Sequence, residues 1–94
     1  MKLVLVAVKD EAGKCFMEIQ EHVSTEVAIR NFKAFCKNQV VKDNPEDFNL
    51  YQIGTYDRET GKITGEKPTK IALAMEYIIN IPKEEQCLKK PMKN

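Results

Sequence analysis

The run from Asn44 to Gly61, NPEDFNLYQIGTYDRETG, constrains this chain more than any other segment. Pro45 disfavours the α conformation at Asn44, so a helix arriving from upstream has to stop there. Asn44-Pro45-Glu46-Asp47 reads as a turn with proline in its favoured position. Phe48 to Asp57 is rich in aromatic and β-branched residues and predicts a strand. Strict alternation places Tyr51, Ile53 and Thr55 on one face, with Leu50, Gln52 and Tyr56 on the other. Gly54 marks a bulge or a close backbone approach. Arg58-Glu59-Thr60-Gly61 predicts a hairpin turn, with Gly61 free to take a positive φ. The run holds no nucleophile–base pair, metal-ligand spacing or phosphate loop. It therefore fixes architecture before chemistry.

The flanking segments fill in a sheet. Leu3 to Val8 is continuously apolar and predicts a strand buried on both faces. Glu11-Ala12-Gly13-Lys14 supplies a turn. Cys15, Met17 and Ile19 then alternate with Phe16, Glu18 and Gln20, which predicts a half-buried partner strand in a hairpin. Ser24-Thr25-Glu26 opens a helix expected to reach about Asn38, with Ala28, Ile29, Phe32, Phe35 and Cys36 on its apolar side. Val40 and Val41 pack as the chain leaves it. Lys62-Ile63-Thr64 starts a fourth strand. Ile71 to Ile79 is read as a strand beginning near Ile71, after a turn or helical piece following Pro68, with a short helix as the alternative. Pro82 ends this segment. The prediction is an α+β fold, a small antiparallel sheet of four to five strands with one main helix packed on one face. Its order is β-β-α-β-β, with the last element a strand or a short helix. One domain is expected over residues 1–81, followed by a flexible, lysine-containing tail over 82–94.

Length and charge set the outer limits. Ninety-four residues make one domain. Fifteen Lys and Arg against 14 Asp and Glu give a net charge of +1. That excludes a globally basic nucleic-acid binder, so any contact with phosphates must rest on local charge asymmetry. Cys15, Cys36 and Cys87 are odd in number and form no C-x-x-C pair, which predicts reduced thiols in a reducing cytosol. No segment reads as a signal peptide or membrane span, so an intracellular protein without a membrane partner is expected.

Candidate sites are few. His22 has no partner at a catalytic or metal-binding spacing. Asp43, Glu46 and Asp47 lack the calcium-loop pattern, and Gly61 and Gly65 around Lys62 match no nucleotide-binding loop. Cys36 reads as a packing residue. The expectation is a protein that is not an enzyme, with no catalytic or metal residues and no cofactor. The stronger candidate is Arg30, Lys33 and Lys37, spaced to share one helix stripe. Phosphates require cations, and single strands favour exposed aromatics on which bases stack. Phe16, Tyr51 and Tyr56, with Lys14, Arg58 and Lys62, supply such groups. The competing reading makes the stripe a solvated helix face and the aromatics core.

Three blocks carry a family resemblance: Lys2-Leu3 through Val8-Lys9-Asp10, Ala28-Ile29-Arg30-Asn31-Phe32, and Asn44 through Asp57 followed by Thr60-Gly61. In these the chain resembles the small non-structural DNA-binding protein of gokushovirus-type microviruses, phages with circular single-stranded DNA. The resemblance covers roughly residues 2 to 77. Members of that family often carry histidine where this chain has Asn44, which argues against a catalytic base there. The resemblance implies a phage accessory protein in the host bacterial cytoplasm, absent from the mature virion. It would bind single-stranded viral DNA without sequence specificity, in replication or at the switch to packaging. The candidate DNA contacts are Arg30, Lys33, Lys37, Phe16, Tyr51 and Arg58. The alternative is a protein–protein interaction module that uses a sheet edge or the apolar C-terminal segment. A homodimer and a viral replication or packaging protein are the further partners this reading leaves open.

Overall fold

The computed structural model describes residues 1–78; the expected end at Pro82, Cys87 and the lysine-containing tail lie outside the described residues. Strand β1 (Lys2–Asp10) runs through the middle of an antiparallel sheet. On one side it pairs with two short pieces, β2 (Cys15–Phe16) and β3 (Gln20–His22). On the other it pairs along its whole length with β4 (Phe48–Asp57), which in turn pairs with β5 (Ile63–Leu73). Between β3 and β4 the chain forms helix α1 (Thr25–Phe35), helix α2 (Gln39–Asp43) and a 3-10 turn at Pro45–Asp47. Helix α3 (Ala74–Ile78) follows β5 directly. The fold is the small α+β arrangement that the sequence predicts.

Local chemistry explains these boundaries. Ser24 is extended, and its Oγ accepts from the Val27 N–H at 3.2 Å, satisfying an orphan donor at the start of α1. The helix ends at Phe35, earlier than the expected Asn38. The Lys37 and Asn38 amides reach only three residues back, to Ala34 and Phe35, and the Asn38 side chain also bonds the Phe35 carbonyl. That tightening closes the last turn. Lys37 therefore sits beyond the helix. Val41 is buried by α2, whereas Val40 is exposed.

One core joins the helices to the sheet. Val6 and Val8 of β1, Phe48 and Leu50 of β4 and Ala72 of β5 pack with Ala28, Phe32, Cys36, Val41 and Ile78. Burial pushes the Cys36 thiol up to about 11, as suits a packing cysteine. Leu3 and Ala7 are also buried but stand outside this cluster. Their odd positions in β1 point to the opposite face of the sheet.

Three irregularities change the expected faces. First, Leu5 pairs with Gly54 and Val6 with Gln52, so Ile53 is an extra residue in β4. Tyr51 pairs with Ala7 and Tyr56 with Leu3. Ala7 and Leu3 are four residues apart on a regular strand, so Tyr51 and Tyr56 share a face. The predicted grouping of Tyr51 with Ile53 and Thr55 is thereby corrected. Second, three steps of β1 from Lys9 to Val6 match four steps from Phe16 to Gln20. This extra residue breaks the expected single partner strand in two. Cys15, Met17 and Ile19 are all exposed there, and not half-buried as alternation predicts. Third, β5 is continuous through Pro68, after which a turn or helical piece was expected. Pro68 falls in the unpaired stretch between Thr69, opposite Gln52, and Gly65, opposite Gly54. Its missing N–H costs no ladder bond at that place. The apolar run from Ile71 divides, with strand to Leu73 and helix from Ala74.

Gly54 is both the bulge glycine and a close approach. A Cβ there would collide with the backbone carbonyl oxygen of Thr64 on β5. Gly61 takes φ 79° in the β4–β5 turn, closed by its N–H to the Asp57 carbonyl at 2.7 Å. Gly54→Ala is expected to destabilise the protein by about 1–3 kcal/mol, the range for forced overpacking. Urea unfolding checks this: the midpoint should fall, and by more than for Gly65→Ala, where a Cβ would meet open space.

Candidate nucleic-acid interface

The face of the sheet turned away from the helices collects a compact set of polar and aromatic side chains. Lys9 pairs with Phe16 on one side and Asn49 on the other, and Tyr51 pairs with Lys70. Directly paired residues share a face, so these five stand together across four strands. The rings of Phe16 and Tyr51 meet edge to face, with centroids 5.4 Å apart. Lys9 Nζ lies 5.5 Å from the Phe16 centroid and 5.9 Å from that of Tyr51. Lys70 Nζ lies 5.9 Å from the Tyr51 centroid. Two cations thus flank one aromatic pair, at distances suited to cation–π attraction.

Glu11 organises this platform. Its Oε2 accepts from Asn49 Nδ2 and from the Tyr51 hydroxyl, each at 2.8 Å. Its Oε1 lies 3.6 Å from Lys9 Nζ. The hydrogen bonds from Asn49 and then Tyr51 hold the Glu11 carboxyl below its ordinary range, assisted by the charges of Lys9 and Lys70 and opposed by burial. The same bond to Glu11 holds the Tyr51 phenol above its ordinary range, followed by burial and the carboxylate charge. Both shifts favour a carboxylate facing a neutral phenol.

The sequence-predicted residues separate. Phe16 and Tyr51 come together. Arg30 and Lys33 are exposed on α1, which packs on the other face of the sheet, and Lys37 follows in the turn beyond it. Lys33 Nζ stands 5.1 Å from the Tyr77 centroid. Arg58 lies at the β4–β5 turn, its backbone N–H bonded to the Met1 carbonyl. Six residues of β4 separate it from Tyr51, a span on the order of 20 Å. Lys9, Glu11 and Lys70 were not among the predicted residues. Period-two alternation through β1 could have found Lys9 and Glu11 beside Ala7. Lys70 could not have been found this way, because the pairing of β4 with β5 shifts between Leu50 and Tyr51.

Elsewhere the chemistry is sparse. His22 Nδ1 lies 3.2 Å from Asn31 Nδ2, and Nε2 lies 3.3 Å from Gln20 Oε1. Among the described residues, no group of three or more His, Cys, Asp or Glu side chains is placed to hold a metal ion. No helix among them is long and apolar enough to cross a membrane.

A family model described as the phage ORF5 protein matches residues 3–77. The chain belongs to the phage ORF5 protein family. The matched span takes in the whole platform, from Lys9 to Lys70, and the helix stripe as well. No curated protein and no solved structure matches the chain.

The Glu11–Tyr51 bond gives this phage ORF5 family member a pH signature. A carboxyl depressed in the folded state contributes stability that is fully present above its unfolded value. That stability is lost as pH falls through the folded one. Tyr51→Phe removes one of the two donors. It is expected to cost about 1 kcal/mol at neutral pH, the usual worth of one such bond. The difference from wild type should shrink in acid, where Glu11 is protonated. Denaturant unfolding of both proteins at neutral and acidic pH measures it, and NMR titration should show Glu11 moving back towards its ordinary range in the variant.

Proposed function

We propose that this protein binds single-stranded DNA on the open face of its sheet, without reading base order. The observation that carries the reading is the Phe16–Tyr51 pair flanked by Lys9 and Lys70 on a face that the helices leave uncovered. Every base presents a π-face, so an aromatic pair accepts any sequence, with stacking worth about 1–3 kcal/mol per base. Lys9 and Lys70 stand where a strand crossing those rings would bring its phosphates. A chain with a net charge of only +1 needs such local concentration to bind a polyanion at all. The platform requires no catalytic group, and the reading is of a binding protein and not an enzyme.

Membership of a phage family supports a viral protein. The resemblance to the gokushovirus-type proteins narrows this to a non-structural protein acting on the circular viral strand in the host cytoplasm, in genome replication or the switch to packaging. Arg30, Lys33 and Lys37 then contribute only general attraction from behind the sheet, and Arg58 lies beyond the platform.

Fluorescence anisotropy with a labelled single-stranded oligonucleotide tests the reading. Phe16→Ala should weaken binding about tenfold or more, the effect of losing one stacked base. Replacing Lys9 and Lys70 with Ala should lower the salt slope by about 1.4, at about 0.7 per phosphate. Exchanging Arg30 and Lys33 for Glu should change affinity less than either. Binding that ignores Phe16, Lys9 and Lys70 contradicts the proposal.

A second reading draws on a different surface. Met17, Ile19 and Val23 are exposed along the interrupted β2–β3 edge, beside a cleft floored by Val8, Phe32 and Leu50. An exposed apolar edge suits a protein–protein contact, with a second copy or with a viral partner. On that reading the protein makes no direct DNA contact, and Ile19→Asp alters its association state in sedimentation.

A further inference from the structure

We propose that Glu11 gives the platform a preference for bases that carry an exocyclic amino group over thymine. This inference rests on the single-stranded-DNA reading above and names the base chemistry that the same site favours.

The Glu11 carboxylate has unused acceptor capacity. An ionised carboxylate offers about four lone-pair sites and no donor. Glu11 Oε2 already accepts two bonds, from Asn49 and Tyr51. Oε1 faces Lys9 Nζ at 3.6 Å, an ion pair longer than a hydrogen bond. The Glu11 side chain is 29% exposed, so the carboxylate is not sealed off from solvent. The Tyr51 hydroxyl and one N–H of the Asn49 amide point at Oε2, so the donor that faces Oε1 is the Lys9 ammonium. The bond from the hydroxyl also fixes the carboxylate at the rim of the Tyr51 ring. A base stacked on that ring brings its polar edge to the rim.

Base chemistry then decides the outcome. Cytosine presents N4–H, adenine N6–H and guanine N2–H, each a donor to a carboxylate. Thymine presents carbonyl oxygens on either side of its single N–H, and these meet the carboxylate with like partial charge. Lys9 remains free to follow the phosphate, since its pairing with Glu11 is not a directed hydrogen bond. The result is discrimination by base class, not readout of a sequence.

The test compares oligo(dC) with oligo(dT) of equal length, at matched salt, on wild type and on Glu11→Gln. The amide oxygen of that variant can still accept from Asn49 and Tyr51, and thermal unfolding checks that the fold is kept. Wild type should favour oligo(dC) relative to oligo(dT), and the ratio should fall about five- to tenfold in Glu11→Gln, as expected for one exposed charge-assisted bond. Glu18→Gln removes the same charge from an exposed residue lining the cleft beside Val8 and Phe32. It should tighten both oligonucleotides alike and leave the ratio unchanged. A ratio equal in wild type and Glu11→Gln, or moved as much by Glu18→Gln, overturns the inference while leaving the platform standing. Failure of wild type to bind either oligonucleotide overturns the single-strand reading, and this inference with it.

Discussion

The extra residue at Ile53 sets which side chains of β4 look at the helices and which look away. Side chains on a strand alternate with a period of two, so one inserted residue reverses every face beyond it. Before the bulge, Phe48 and Leu50 enter the core while Asn49 and Tyr51 face the open side. After it, Tyr56 returns to the side of Tyr51. A steric constraint falls on the residue next to the bulge. Gly54 passes so close to the Thr64 carbonyl that no side chain fits between the strands.

Much of this architecture was legible in the sequence because it is written in local chemistry. Pro45 sets the 3-10 turn, Gly61 closes the hairpin and Ser24 caps α1, each through a backbone conformation or a side-chain acceptor placed where the turn needs it. The bounds of β4, Phe48 to Asp57, follow from the turns on either side. What was not legible depends on pairing between distant segments. Cys15, Met17 and Ile19 alternate as a buried strand would, yet their segment lies at a sheet edge with a residue too many for β1. Pro68 looks like a break, but an edge strand can carry it in an unpaired position. The end of α1 carries no glycine or proline signal, and the Asn38 side chain closes it instead.

The same division runs through the candidate site. Phe16 and Tyr51 could be singled out as exposed-face aromatics, but their meeting at 5.4 Å is a tertiary fact. The basic stripe Arg30, Lys33 and Lys37 drew notice because helical spacing makes clustering visible in sequence. Lys9 and Lys70 are 61 positions apart and are joined only through β4. A chain of near-neutral charge thus gathers cations from separate strands around one ring pair. It places a carboxylate beside them whose acceptors lock the tyrosine. Binding through such a surface trades strong electrostatic attraction for stacking, which suits a ligand whose bases are unpaired.

Backbone amide NMR during titration with a short single-stranded oligonucleotide tests the central claim most directly. The account predicts the largest shift changes at Lys9, Phe16, Tyr51 and Lys70, along with Glu11 and Asn49, while the amides of Arg30 and Lys33 on α1 move little. Changes concentrated on α1, with the open face of the sheet undisturbed, would contradict it.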